Sequence, residues 1–264
     1  MPVNTRHLPA LIFSALALLI CLPVLAGSPL VENRQAPFHV GEKLVFELRW
    51  AFIPAGEAVM ETMPHESIQG QPARHFRLTA RSNAFVDAFY KVRDVIDAYT
   101  DTGLTRSVHY KKQQREGSTH RDVTVVFDLK GGTAQYTNRD EVRPPMALLP
   151  GSFDPLSAFY YIRGIDLKPG TALERPITDG KKNVMGRANV IRREKIRVSG
   201  KTYDTFLIEP ELKHIGGVFE KSPRAKIQLW VTADHRRLPV RLKSKVVVGS
   251  FVGDLVSVTQ TPAP

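Results

Sequence analysis

The sequence predicts a mainly β protein, a strongly curved antiparallel sheet or open half-barrel wrapped around one short buried helix. Three observations predict it. Apolar and polar residues alternate at period two in one segment after another, as they do when successive side chains point to opposite faces of a strand. Turn residues separate those segments at short intervals, and glycine (18) and proline (19) are plentiful enough to supply them. One run, residues 154–164, carries helix start and stop signals and is apolar nearly all round.

The alternation starts with Leu44, Phe46, Leu48, Trp50 and Phe52, which are spaced by Lys43, Glu47 and Arg49. Pro54-Ala55-Gly56 reads as a turn and residues 57–62 as a returning strand. Phe76, Leu78 and Ala80 alternate with His75, Arg77, Thr79 and Arg81; Val123, Val125 and Phe127 alternate with Asp122, Thr124 and Val126. A tight connection at 128–132 leads into a strand at 133–137. Ala225, Ile227, Leu229 and Val231 alternate with Lys226, Gln228, Trp230 and Thr232, a turn follows at 234–237, and Leu238, Val240 and Leu242 continue the pattern. Residues 246–251 and 255–258 read as two last strands.

Two segments break this period. Residues 83–90 read as one or two helical turns capped by Asn83. In residues 154–164, Asp154 can accept from the first free N–H groups, Pro155 stands where its missing N–H is harmless, and Gly164 can end the helix in the left-handed conformation. Leu156, Phe159, Tyr160 and Arg163 share a face, and Ala158, Tyr161 and Ile162 make the rest apolar, so the helix is expected to be buried on the concave side. Residues 144–150 are the best place for an internal linker, although one continuous sheet fits the pattern equally well.

The amino terminus supplies an address. Arg6 precedes an apolar run at 8–22, which ends at Val24-Leu25-Ala26 with small or compact residues at the two positions a signal peptidase reads, the layout of a secretory signal peptide. The run is shorter than the ~20 residues needed to span a bilayer. The expected organisation is a cleaved leader at 1–26, a flexible lead-in at 27–37, one β-rich domain at 38–258 and a tail at 259–264, with the mature protein soluble in the periplasm and without a transmembrane segment. Cys21, the only cysteine, lies in the leader and follows Ile20, which argues against lipid anchoring. The mature chain then has no disulfide and rests on its core.

The net charge of +11 suits an anionic partner. Export argues against nucleic acid and leaves phospholipid, lipopolysaccharide, a cell-wall polymer or an envelope protein. Basic residues cluster at Arg192, Arg193, Lys195 and Arg197, and at Arg236, Arg237, Arg241, Lys243 and Lys245. Of these, Arg237, Arg241, Lys243 and Lys245 are expected on the solvent side of one strand as contacts for such a partner.

Catalytic signatures do not assemble. There is no Gly-x-Ser-x-Gly elbow, Ser157 sits inside the helix, and His39, His65, His75, His109, His120, His214 and His235 are scattered without zinc-ligand spacing. His75, His109 and His120 fall on or beside strands and are read as surface residues. Alternation puts Asp94 and Asp97 on opposite faces, as charged strand edges. Asp179-Gly180-Lys181-Lys182 is a hairpin signal rather than a phosphate cradle. No catalytic residue, metal or cofactor is expected.

Four landmarks together resemble the DUF3108 family, exported bacterial proteins of unknown function. They are Val40-Gly41-Glu42-Lys43-Leu44-Val45-Phe46 running to Trp50 and Pro54-Ala55-Gly56; Asp154-Pro155-Leu156-Ser157-Ala158-Phe159-Tyr160-Tyr161-Ile162-Arg163; Leu229-Trp230-Val231-Thr232-Ala233-Asp234 with Arg237-Leu238-Pro239-Val240; and Asp179-Gly180-Lys181-Lys182. The resemblance implies a secreted, β-rich fold and carries over no catalytic residue. The tryptophan strand and its hairpin are also similar to those of periplasmic half-barrels that hold lipoprotein acyl chains. The expected function is non-catalytic binding of a partner or ligand through the curved sheet. One alternative is a carrier with an apolar cavity of roughly 300–1,000 Å³; another is a hydrolase with dispersed residues. Trp50, Gly56, Asp154, Arg163 and Trp230 are the candidate fold-defining or site-lining residues, and Arg163, a cation ending a buried helix, needs a partner.

Overall fold

The computed structural model describes residues 36–212, 225–246 and 249–260. The expected leader with Cys21, nearly all of the lead-in, His214 and residues 261–264 lie outside the described residues.

The strands form one antiparallel sheet of 15 strands. In chain order they are β1 (Glu42–Trp50), β2 (Ile53–Ile68), β3 (Gln71–Ser82), β4 (Arg93–Asp101), β5 (Ser107–Glu116), β6 (Thr119–Asp128), β7 (Thr133–Asn138), β8 (Glu141–Val142), β9 (Met146–Ala147), β10 (Ala172–Thr178), β11 (Asn183–Val198), β12 (Lys201–Pro210), β13 (Lys226–Thr232), β14 (Pro239–Val246) and β15 (Gly249–Gln260). The sheet runs from β10 through β15, passes directly to β1 and continues to β8, with β9 on β7. From β1 to β8 and from β10 to β15 each chain neighbour is therefore a sheet neighbour, and the first and last strands pair in the middle of the sheet.

The alternation is realised as expected. Leu44, Phe46 and Leu48 face one side with Met60, Ala58, Leu78, Ala80, Ile96 and Ala98 across successive strands. This concave face carries the core, which it shares with the helix α2 (Pro155–Arg163). Tyr160 stacks on Phe76 with ring centroids 3.9 Å apart and meets Phe38 edge to face. Every residue of α2 after Pro155 is buried, as its all-round apolarity predicts. A second helix, α1 (Ala84–Asp87), is capped by Asn83, which accepts from the Val86 N–H.

Three local expectations are corrected. β1 stops at Trp50 and turns at Ala51 and Phe52, so Pro54-Ala55-Gly56 is strand rather than turn. Gly56 is needed there because a Cβ would lie 2.1 Å from the Arg81 carbonyl oxygen. Val246 ends β14, and residues 249–251 and 255–258 belong to a single β15 that continues through Gln260, because Gly253 fits opposite Leu48 and Asp254 is bound by Arg49 and Arg241. Gly164 keeps a right-handed conformation (φ −85°) and ends α2 by donating to the Tyr161 carbonyl.

The segment at 144–150 joins strands of the same sheet, returning from one of its edges towards the other. Leu149 N–H donates to Asn183 Oδ1 (2.6 Å), and Phe153 and Ile177 form a parallel bridge. The β10–β11 turn then sits on β6 and β7. A Cβ at Gly180 would meet Val125 at 2.5 Å, and Lys181 lies 4.7 Å from the centre of the Tyr136 ring. The two edges of the sheet thus approach through side chains, which gives a barrel-like body without a closed backbone ladder.

Candidate functional site

A cleft lies between the concave face and α2. Phe46, Leu48, Ala58, Met60, Leu78, Ala80, Ile96, Phe159, Leu229 and Leu242 supply its apolar wall, and Asp94 its carboxylate. Its enclosed volume is about 60 Å³, below the roughly 300–1,000 Å³ of a ready-made carrier cavity; with the open solvent at its mouth the empty space is about 700 Å³. Arg241 also borders it, but the guanidinium is held by Asp254, with contacts of 2.5 and 2.8 Å. The position of the cleft follows from register. α2 fills the half of the concavity at Phe38, Phe76 and Ala98. From there, Phe46 to Leu48, Met60 to Ala58, Leu78 to Ala80 and Ile96 to Asp94 each step towards the end where β1 turns into β2 and β3 into β4.

The Asp94 end is polar. Asp94 is buried and accepts from the Arg115 N–H at 2.8 Å, while Gln114 and Glu116 are buried beside it. Burial first, and then the Glu116 charge, push the Asp94 carboxyl up to about 7, with the Arg115 N–H and Lys112 pulling partly back. Burial, reinforced by Glu116 and Asp94, also raises the Tyr90 hydroxyl. Asp94 is therefore no charged strand edge, as expected from sequence, but an interior acid that shares its proton with a neighbour. Asp97 does face the other way, as alternation requires.

On the convex side, His75 is buried between two carboxylates, with Nδ1 2.8 Å from Glu66 and Nε2 2.6 Å from Asp97. It stacks on Tyr99 at 4.4 Å, and His109 lies 5.6 Å from Tyr99. Burial pushes Asp97 up, but hydrogen bonds from His75 and Arg77 outweigh it and leave the group low. His75 is thus held in place rather than exposed. Among the described residues no group of side chains could hold a metal ion.

The five candidate residues are dispersed, and none borders the cleft. Trp50 packs at the end of β1 beside Gly249, where a Cβ would come within 2.6 Å of its Nε1. Gly56 admits the β3 backbone. Asp154 caps α2 by accepting from Leu156 and Ser157 N–H (both 2.9 Å) and from the Ser107 and Ser157 hydroxyls (both 2.5 Å), while burial pushes its carboxyl up. Arg163 has its partner: Nη1 and Nη2 reach Glu42 at 2.5 and 3.0 Å, with Phe38 and Tyr160 beneath the guanidinium. Trp230 donates to Glu194 at 2.9 Å.

The basic row is corrected. Arg237 stands in the turn before β14 and donates to the Ala233 carbonyl (2.7 Å), and Arg241 is spent on Asp254. Only Lys243 and Lys245 of the four project freely from β14. The turn ends later than the alternation suggests, and a buried aspartate on the next strand is invisible to it. Glu42, Glu116 and Asp254 escaped sequence reasoning because each meets its partner through sheet pairing or across the concavity. The signal for Glu42 was indirect: a buried arginine demands an acid.

A family model described as "Protein of unknown function (DUF3108)" matches residues 45–256. No curated protein matches the sequence. The fold is similar to that of a β-barrel-like protein of the DUF1849 domain of unknown function from Brucella abortus, with TM-score 0.51 and 10% identity over 85% of this chain and 99% of that one. Weaker likenesses, both at TM-score 0.34, are to a protein described provisionally as a lipoprotein from Parabacteroides distasonis (8% identity, 84% of this chain and 96% of that one) and one described provisionally as exported, with a YmcC-like fold, from Bacteroides fragilis (9% identity, 91% of this chain and 100% of that one). At these identities the first likeness is one of fold alone, and the other two carry no argument.

Proposed function

The chain belongs to the DUF3108 family, whose function is unknown, and from that premise we propose that it is an exported, non-catalytic binding protein that carries an amphiphile, its apolar chain lying in the concave cleft. The observation that carries the reading is the cleft itself: ten apolar side chains surround space that α2 leaves unfilled. Protein interiors are otherwise packed to crystal-like density, so an apolar gap open at one end suits a ligand chain. Asp94, with its carboxyl raised to about 7, supports a polar contact at the end of that chain: in its protonated form it can donate to a head group without burying a full charge. The export half of the reading rests on the leader pattern at 1–26; no helix among the described residues is long and apolar enough to cross a membrane.

Native mass spectrometry of protein purified without detergent from the periplasm tests this, together with titration by a fluorescent fatty acid. The expected result is a lipid-sized adduct or saturable uptake of the probe, weakened about tenfold or more by Ala80→Phe, which fills the cleft with a ring. A wild-type protein that carries no adduct and takes up no probe would sink the carrier reading.

A further inference from the structure

Three phenylalanines project from one end of the barrel. Phe52, in the β1–β2 turn, is 87% exposed; Phe85 and Phe89, on and just after α1, are 63% and 54% exposed. Phe85 and Phe89 meet edge to face at 5.7 Å and bury little of each other. Exposed apolar side chains are ordinary singly and informative when they cluster. The two segments that bear them are neighbours: Asn83, the cap of α1, donates through Nδ2 to the Pro54 carbonyl (2.8 Å) and through its backbone N–H to the Ala55 carbonyl (2.9 Å). Both are also anchored. Ala51 N–H donates to the Ser250 carbonyl at 2.7 Å, and Asp87 of α1 is held by Ser82 and by Arg93 (2.6 Å).

Cations surround these rings. Lys91 follows α1, and Lys245 sits where β14 turns back into β15, which pairs with the end of β1; Lys243 is one step behind. All three are exposed, and none forms an ion pair among the described residues. Of the acids near this rim, Glu57 and Asp87 are engaged by Arg81 and Arg93, and Glu47 lies opposite Glu57 on β1. The net charge of the whole chain, +11, has the same sign.

We propose that this rim is a membrane-docking surface on which Phe52, Phe85 and Phe89 enter the head-group region of an anionic phospholipid leaflet while Lys91, Lys243 and Lys245 lie against its phosphates. Rings at a water–lipid boundary flanked by cations are what an interfacial anchor requires. The rings stand on a turn tip and a one-turn helix rather than on a flat face, which suits a deformable lipid surface better than a rigid partner. The cleft runs towards this same rim from Phe159 to Leu48, Ala80 and Asp94, so a docked molecule would present the cleft to the leaflet. That last step rests on the carrier reading; the docking itself does not.

Flotation of the purified protein with vesicles provides the test. The protein should float with phosphatidylcholine vesicles containing phosphatidylglycerol, less with phosphatidylcholine alone, and less again as salt is added. Phe52→Ser/Phe85→Ser/Phe89→Ser should reduce the bound fraction about tenfold or more, and Lys91→Glu/Lys243→Glu/Lys245→Glu should abolish the preference for anionic vesicles. All six positions are exposed, and circular dichroism checks that both variants fold. Ala80→Phe should float like wild type; if wild type also takes up no fatty-acid probe, the carrier reading fails and the docking stands. A wild-type protein that stays with neither vesicle, leaving a protein partner as the occupant, overturns the proposal, as does a triple-serine variant that floats undiminished.

Discussion

Asp94 and Asp97 stand three residues apart on one strand and have opposite fates. Asp97 faces outward into His75 and Arg77, which hold it ionised; Asp94 faces the concavity beside Glu116 and keeps its proton towards neutrality. A stability profile follows. The folded carboxyl titrates near 7 rather than 3.8, so the folded protein holds a proton that the unfolded chain releases. The favourable contribution is complete below about pH 4 and is lost as pH rises through about 7. Asp94→Asn keeps an acceptor for the Arg115 N–H, can donate to Glu116 and has no proton to lose. Relative to wild type, it should gain stability between pH 5 and pH 8, as read from urea midpoints at the two values; identical slopes in both proteins would refute the assignment. The sequence placed the two aspartates on opposite faces through strand periodicity alone. Which face is buried, and that Glu116 waits there, depends on the pairing of Val92 with Glu116, which no local pattern encodes.

At the scale of the element, α2 was legible because helix signals are local. Asp154, Pro155 and an apolar run identify a capped, buried helix with no knowledge of the rest of the chain. Its anchor was only half legible, since Arg163 announces the need for an acid without naming Glu42, 121 residues away. The pair ties α2 to the start of β1, and the Arg236 and Arg237 carbonyls accept two further guanidinium N–H groups (3.2 and 3.1 Å). Both side chains are almost wholly buried, so removing one leaves an uncompensated charge. Arg163→Met or Glu42→Met alone should each cost about 3–5 kcal/mol in urea denaturation. The double substitution, which buries no charge, should cost clearly less than their sum. Additive losses would mean that the two charges do not depend on each other.

Across the whole molecule, the order of strands was the least legible property. Period two gives each strand its faces but not its neighbours, and the join of β15 to β1 brings opposite ends of the described chain together. The approach of the sheet edges is equally non-local. It depends on the β10–β11 turn, whose Asp-Gly signal is plain in sequence although its seat on Val125 and Tyr136 is not. Asp179 holds that turn by accepting from the Lys181 and Lys182 N–H groups (2.9 and 3.1 Å), and Gly180 adopts φ +84° with no space for a Cβ. Gly180→Val therefore strains the backbone and drives a side chain into Val125, at a cost of about 2–4 kcal/mol. The damage should be regional. Strands β1 to β4 pair continuously in the middle of the sheet and do not need the seam, whereas β7 and β10 lie at its two sides. Hydrogen exchange in the variant should accelerate first at β7 and β10 while β2 and β3 stay protected. Uniform acceleration would show that the body unfolds as one unit and that the seam is not a separate boundary.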